Sequence, residues 1–313
     1  MLTNVAPSIT KAASQQTYYT IRFLADRDRV EDAYRAYGYF RWVDDVLDAE
    51  LTSKSKSENK ACERIAFLER QKSLLDSCYR GKAPHDVNLM EKMLVELVQH
   101  DQEKNSGLQL YLRNMMLVMD FDAIRRGRWI SQAELNEYTR WLAIAVMECI
   151  HYFIGHNDFS PFDEARYLAV SGAHITHMLR DTFDDTQFGY YNIPQEVLDA
   201  GHIWPQEVNS DAYRAWVKSR VLLAREYFEA GKDYFARVQN PRCRLACFAY
   251  ISRFEWLLDT FERENFSIRP KYNERKSLGV GLKISRLTLS SFMSSRGQGT
   301  VAQPVPSHRQ GKA

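Results

Sequence analysis

The chain is poor in the residues that turns require, with only 14 glycines and 9 prolines among 313 residues. A fold of many short strands needs a turn every few residues, so this scarcity favours long helices. The chain also lacks a long apolar run: residues 141–155 are its most apolar stretch, but they are too few to span a bilayer and include Glu148 and His151. These absences predict an all-α protein.

Cysteine and net charge give no sign of special chemistry. The five cysteines are odd in number and show no CxxC spacing, which favours reduced thiols over a disulfide framework or a zinc knuckle. Residues 1–11 contain no basic segment followed by an apolar run, so we expect no signal peptide and a cytoplasmic location. The formal net charge of +2 argues against nucleic acid as a partner.

Apolar and aromatic residues recur at helical spacing along most of the chain. Ser131 and Glu134 have the spacing of a capping box and start one of these helices. The pattern predicts helices over residues 29–49, 61–79, 87–101, 106–126, 131–154, 163–186, 209–238 and 241–265, and from residue 277 onward.

No linker or internal repeat divides the middle of the chain. We therefore interpret residues 14–293 as a single domain. Residues 1–13 are expected to form a flexible N-terminal arm. Residues 294–313 are polar and lack apolar periodicity, and they are predicted to form a disordered tail.

Two of the predicted helices each carry a pair of aspartates four residues apart. Positions i and i+4 lie on the same face of a helix. The side chains of Asp44 and Asp48 therefore project from one helix face, and those of Asp181 and Asp185 project from another. The neighbouring residues in both helices are strongly apolar and aromatic, whereas a solvated stripe of charge usually has polar neighbours. A lone DxxxD spacing is weak evidence, but two pairs in such surroundings indicate a site.

Clustered carboxylates repel one another and are costly to remove from water. A hard divalent cation is a natural remedy, because Mg²⁺ prefers oxygen ligands and is often shared between carboxylates and substrate phosphates. Each aspartate pair has a neighbouring arginine, Arg41 in one helix and Arg180 in the other. These guanidinium groups would add hydrogen bonds to phosphate oxygens. The pattern therefore predicts a magnesium and diphosphate site.

His174 and His177 continue the second aspartate stripe toward the start of its helix. They could form half of a zinc site, but no second Cys/His cluster supports that interpretation. Glu148 and His151 match half of a di-iron bundle motif, which requires two such elements. Since no second element is present, a packed core helix is the preferred interpretation of that pair.

Four segments, in the right order, resemble motifs of the squalene/phytoene synthase family. YGYFRWVDDVLD resembles its first aspartate-rich motif, and HMLRDTFDDTQFGYYNIP resembles its second. QTYYTIRFL near the start and DFDAIRRGRWISQAELNEYTRWLAIAV in the centre are similar to two further segments. The resemblance covers residues 14–290 and implies an isoprenoid synthase-type helical bundle around a central apolar channel.

The resemblance also implies roles for particular residues. Tyr138 falls on the family's active-site tyrosine. Mg²⁺, with Mn²⁺ as an alternative, would be held by Asp44, Asp48, His177, Asp181 and Asp185. The diphosphate would be bound by Arg41, Arg180, His174 and Lys271, with Arg269 as the alternative to Lys271.

The chain departs from the family pattern at several of these positions. His177 stands where a metal-binding Asn is usual, and His174 stands where a Gln is usual. Met147 occupies a position where the family prefers a channel-lining Gly, and Phe254 replaces a usual Tyr. An imidazole suits Mn²⁺ or Zn²⁺ better than Mg²⁺, and a protonated His would hydrogen-bond diphosphate. These departures point to an altered substrate or product.

The resemblance implies a Mg²⁺-dependent prenyltransferase that ionises an allylic isoprenoid diphosphate and couples it head to head with a second one. Two alternatives stay open. The same ionisation could lead to cyclisation or to prenyl transfer onto a non-isoprenoid acceptor, or the fold could serve as a non-catalytic scaffold. A lipid-like substrate would favour peripheral membrane contact. The sequence sets neither the prenyl chain length nor the oligomeric state.

Overall fold

The computed structural model describes residues 5–49 and 58–272, together with residues 286, 288–290 and 292–293. All regular secondary structure in these residues is helical, which confirms the predicted all-α class. No helix in this part of the chain has the length and apolar composition that crossing a membrane requires. The α-helices are α1 (Val5–Ala13), α2 (Gln15–Leu24), α3 (Val30–Ala49), α4 (Glu58–Tyr79), α5 (Glu91–His100), α6 (Gly107–Arg125), α7 (Gln132–Phe153), α8 (Leu168–Gln187), α9 (Gln195–Gly201), α10 (Asp211–Ala236) and α11 (Pro241–Arg263).

The eight long helices predicted between residues 29 and 265 are all present, with bounds shifted by a few residues. The capping box at Ser131 and Glu134 starts α7 as predicted. The helix predicted from residue 163 instead begins as a 3₁₀ turn over Glu164–Tyr167 and becomes α-helical at Leu168. The predicted tail over 294–313 lies outside the described residues.

The prediction of a flexible arm over residues 1–13 is wrong for residues 5–13. These residues form α1, which packs against α3 and buries Ala6 and Thr10. The Thr10 hydroxyl donates to the Ala6 carbonyl oxygen over 2.9 Å, so its burial leaves no polar group unsatisfied.

The centre of the bundle is formed by α6, α7, α8 and α10. Helix α7 packs against both α6 and α8, and α10 packs along α8. Two glycines bring α8 and α10 unusually close. A Cβ on Gly231 would lie 2.6 Å from the Ala169 Cβ, and one on Gly172 would lie 3.0 Å from the Phe228 ring. This close packing fixes α8, which carries the second aspartate pair.

A buried ion pair joins α7 to the turn that precedes α8. The Arg166 guanidinium donates two hydrogen bonds to the Glu148 carboxylate, over 2.7 and 2.9 Å, and both side chains are almost fully buried. Tyr167 Oη also donates to Glu148, and Arg166 donates to Tyr234 Oη on α10. His151 contacts Tyr234 Oη at 2.9 Å. Glu148 and His151 therefore belong to the packed core, in agreement with the interpretation preferred from the sequence.

We expect Glu148→Gln to destabilise the protein by about 3–5 kcal/mol, because it leaves the buried Arg166 charge without a counter-charge. The matched control is Glu137→Gln on the same helix, whose partner Arg140 is 57 % exposed. That change should leave the unfolding midpoint nearly unchanged, since solvent screens the pair. Urea unfolding followed by circular dichroism measures both variants, and equal effects would contradict a structural role for the buried pair.

Candidate active site

The two aspartate pairs face one cavity. Asp44 and Asp48 reach it from α3, and Asp181 and Asp185 reach it from α8. The cavity has a volume of about 270 Å³. A fifth carboxylate, that of Asp122 on α6, also lines it. The structure thus brings together the four aspartates that the sequence predicted as metal ligands and adds one that it did not.

The carboxylates around the cavity raise one another's pKa. Burial, and then the negative charge of Asp48, raise the pKa of Asp44 to about 6, although Arg41 opposes this shift. Burial, and then Asp181, raise the pKa of Asp185 to about 6. Asp122 contributes repulsion to both carboxyls. Five carboxylates therefore outnumber the two arginines that line the cavity, Arg64 and Arg125, and a bound cation would relieve the repulsion.

A chain of hydrogen bonds connects Tyr138 to the second aspartate pair. Tyr138 Oη donates to Asp122 Oδ2 over 2.9 Å, and Arg125 Nε donates to Asp122 Oδ1 over 2.7 Å. Arg125 Nη1 donates to Asn192 Oδ1 over 2.8 Å, and Asn192 Nδ2 donates to Asp185 Oδ2 over 2.6 Å. The chain links α6, α7 and the loop after α8, so it sets where Tyr138 and Asp185 lie relative to each other.

Sequence reasoning missed several residues of this site. Asp122 and Arg125 stand three residues apart in the central segment DFDAIRR, a spacing that places both on one helix face. Tyr190 and Asn192 lie at the end of the second aspartate-rich segment, in GYYNIP. That loop passes back over the cavity, which the linear pattern does not indicate. Arg64 on α4 also lines the cavity, and nothing in the sequence marks it.

His174 is buried beside Tyr138, with ring centres 4.9 Å apart. Its Nδ1 lies 3.0 Å from Thr139 Oγ1, whose hydroxyl hydrogen is donated to the Leu135 carbonyl oxygen. Nδ1 must therefore carry the proton, which leaves Nε2 with a lone pair. Burial, and then the charge of Arg125, lower the pKa of His174 to about 3. Burial therefore disfavours a protonated His174 when no anion is bound, and its predicted contact with diphosphate stays a prediction.

The remaining predicted residues lie in four different settings. His177 lines the cavity, and its ring packs edge-on against Phe254 at 5.0 Å. Arg41 and Arg180 lie outside the cavity wall and pair with the aspartates: Arg41 Nη1 is 3.2 Å from Asp44 Oδ2, and Arg180 Nε is 2.5 Å from Asp181 Oδ1. Lys271 is exposed and does not line the cavity. Met147 is fully buried in the core.

The donor set fits magnesium. Within residues 5–49 and 58–272, no three His, Cys, Asp or Glu side chains converge as a preformed metal centre. The two pairs of carboxylates instead face the cavity from separate helices, as suits a metal that keeps several waters and is shared with substrate phosphates. His177 is the one cavity nitrogen among the predicted ligands, and it would suit Mn²⁺ better than Mg²⁺.

The raised pKa of Asp44 predicts how pH affects the stability of the metal-free protein. The pKa of Asp44 in the folded protein is about 6, above the ordinary value of 3.8, so the folded state holds the Asp44 proton more tightly than the unfolded state does. The stabilising contribution of the protonated Asp44 carboxyl is therefore fully present below pH 3.8 and is lost as the pH rises through 6. Asp44→Asn removes this loss. We expect the variant to be more stable than the wild type by about 1 kcal/mol at pH 7.5, after allowance for partial exposure of the side chain.

Thermal unfolding in EDTA between pH 4 and pH 8 measures this difference. The matched control is Asp45→Asn, which removes a charge from the adjacent position but does not line the cavity. Adding Mg²⁺ at pH 7.5 should raise the melting temperature of the wild type and of Asp45→Asn, but much less that of Asp44→Asn. A Mg²⁺ response that is equal in all three proteins would argue against a metal site at Asp44.

Comparison with known proteins adds independent information. A family model described as squalene/phytoene synthase matches residues 10–286. A squalene synthase from Alicyclobacillus acidocaldarius has 15 % sequence identity and a TM-score of 0.65, over 86 % of this chain and 95 % of that chain. A dehydrosqualene synthase solved with a ligand has 16 % identity and a TM-score of 0.66, over 93 % and 95 %. No curated protein sequence is significantly similar to the chain.

Proposed function

The chain belongs to the squalene/phytoene synthase family, and we propose that its site uses Mg²⁺ to ionise an allylic isoprenoid diphosphate and couples the carbocation head to head with a second one. Family membership confirms the resemblance found from the four motifs. It also makes the chain a prenyl-transferring enzyme of isoprenoid biosynthesis. The observation that carries the proposed reaction is the convergence of Asp44, Asp48, Asp181 and Asp185 on one cavity.

In this proposal the aspartates hold the metal and the arginines hold the diphosphate. Mg²⁺ bound by the two pairs would neutralise the charge that develops on the departing diphosphate. Arg41 and Arg180 now pair with aspartates at the edge of the cavity. Once those carboxylates turn toward a cation, the two guanidinium groups can donate charge-assisted hydrogen bonds to phosphate oxygens.

Tyr138 is suited to a place beside the reacting carbons. Burial, followed by the repulsion of Asp122, raises the pKa of Tyr138 well above its ordinary value, so the phenol stays neutral. Its hydroxyl is held by Asp122, and its ring packs against Phe121 and His174. A neutral aromatic ring in a buried setting attracts a cation without forming a bond to it. We assign Tyr138 to stabilising the carbocation.

The apolar part of the cavity wall would receive the prenyl chain. It is formed by Leu47, Met119, Leu142 and Met178. Methionine side chains are unbranched and repack easily, so Met119 and Met178 can move aside for a chain larger than the present cavity. An apolar wall also keeps water from the carbocation, which water would otherwise quench.

The two histidines favour a second candidate in which a different group captures the carbocation. Neutral His174 presents a lone pair at Nε2, and His177 lies in the cavity wall beside it. An imidazole lone pair can take a proton from a cyclised carbocation, which is acidic enough even for a weak base. Cyclisation, or transfer to a non-isoprenoid acceptor, would then follow the same ionisation.

Incubation with Mg²⁺ and C10, C15 or C20 allylic diphosphates tests the proposal. We expect diphosphate release with at least one substrate, and mass spectrometry should find products with twice its carbon number. EDTA should abolish the release. Cyclised or acceptor-linked products would favour the second candidate, and an absence of release from all three substrates would contradict the ionisation step common to both.

We expect Asp185→Asn to lower the rate of diphosphate release by about 100-fold or more, because it removes a carboxylate that would hold the cation. The matched control is Asp184→Asn, which removes the adjacent carboxylate on the exposed side of α8. Its rate should stay close to that of the wild type. Steady-state kinetics at saturating Mg²⁺ measures both variants, and comparable losses would indicate a general electrostatic effect.

A further inference from the structure

Helix α2 presents an aromatic pair to solvent. Tyr19 and Phe23 lie four residues apart on one face of the helix, and they are 48 % and 71 % exposed. Their rings stack, with centres 6.1 Å apart and planes within 9° of each other. No residue of α2 is buried, although the helix packs against α1, α3 and α11. Exposed apolar side chains that adjoin one another, unlike isolated ones, indicate a surface that meets an apolar partner.

Basic side chains flank the aromatic pair on both sides. Lys11 of α1 lies over the Tyr18 ring, with Nζ 5.5 Å from the ring centre, and Tyr18 contacts Tyr19 edge-on at 5.3 Å. Arg22 follows Tyr19 by three residues and shares its helix face, and Arg27 lies in the turn after α2. All three cations are exposed, and none forms an ion pair with a carboxylate in the part of the chain that the structure describes.

The two arginines also line a groove beside Phe23. The groove has a volume of about 830 Å³. Its third arginine, Arg242 from α11, is neutralised by Asp26, since Nη2 and Oδ1 are 2.5 Å apart. Glu31 also lines the groove, but its carboxylate pairs with Arg35 at 3.4 Å. The charges that remain uncompensated along this groove are therefore mainly positive.

An exposed aromatic pair bordered by unpaired cations has the chemistry that recognises an anionic lipid bilayer. Aromatic rings insert at the boundary between headgroups and acyl chains, while lysine and arginine attract anionic headgroups. We propose that Lys11, Tyr19, Arg22, Phe23 and Arg27 form a surface that docks the protein onto anionic lipid bilayers.

This surface lies on the side of the bundle that carries the first aspartate pair. Helix α2 packs against α3, and α3 brings Asp44 and Asp48 to the catalytic cavity. Docking through α2 would therefore place that helix next to the bilayer, whose apolar phase takes up prenyl chains. This link to a lipid substrate rests on the proposed function, whereas the arguments from aromatic exposure and from charge do not.

Co-sedimentation with vesicles tests the docking surface and requires no isoprenoid substrate. We expect the wild type to bind vesicles of equal parts phosphatidylcholine and phosphatidylglycerol at low salt, and to bind pure phosphatidylcholine far more weakly. Phe23→Ser should lower the partition coefficient about tenfold, because it removes a ring from the apolar phase. Arg22→Gln should lower it about fivefold and should also weaken its dependence on salt.

Trp204→Ser is the matched control, because Trp204 is 62 % exposed and the described lining of its groove includes no lysine or arginine. It should keep the partition coefficient of the wild type. Failure of the wild type to bind anionic vesicles would overturn the proposal, and so would equal losses in Trp204→Ser and Phe23→Ser. Because no substrate is present, such a failure is distinguishable from failure of the proposed reaction.

Light scattering without lipid tests the other possible occupant of this face. We expect Phe23→Ser to leave the oligomeric state unchanged. A dimer that Phe23→Ser converts to a monomer would assign the face to a second copy of the chain and overturn the proposal.

Discussion

Mutual repulsion of carboxylates around one cavity is the constraint on which the rest of this structure depends. Five carboxylates face the same space: Asp44, Asp48, Asp122, Asp181 and Asp185. The raised pKa values of Asp44 and Asp185 indicate that their repulsion destabilises the metal-free protein. Such an arrangement persists only when the surrounding helices hold it in place. Binding of a diphosphate with its metal ions would neutralise these carboxylates, so relief of their repulsion would contribute to the binding affinity.

The framework that holds the carboxylates lies mostly away from them. The buried pair of Glu148 and Arg166 joins α7 to the start of α8, and Gly231 lets α10 pack tightly along α8. Closer to the cavity, Arg125 connects Asp122 to Asn192 and so links three parts of the chain. These contacts hold together helices that repulsion between their acidic side chains would otherwise push apart.

Positive charge is distributed around the cavity in a graded way. Arg125 is buried and fully engaged by hydrogen bonds, so it acts as part of the frame. Arg41 and Arg180 are partly exposed, and each pairs with an aspartate that a metal would compete for, while Arg41 also pairs with Asp45 outside the cavity wall. These two settings correspond to structural support and to proposed substrate binding.

The sequence by itself determined the helical class, the long helices and the two aspartate pairs, because each depends on local periodicity within one helix. It did not indicate α1, since a helix of nine residues is marginal alone and forms here by packing on α3. It placed His174 correctly beside the second pair, but not its protonation state, which depends on burial and on the charge of Arg125 from another helix. Only the tertiary structure decided that Asp122, Arg125 and Asn192 surround the catalytic cavity, because the contacts that define it join residues far apart in the chain.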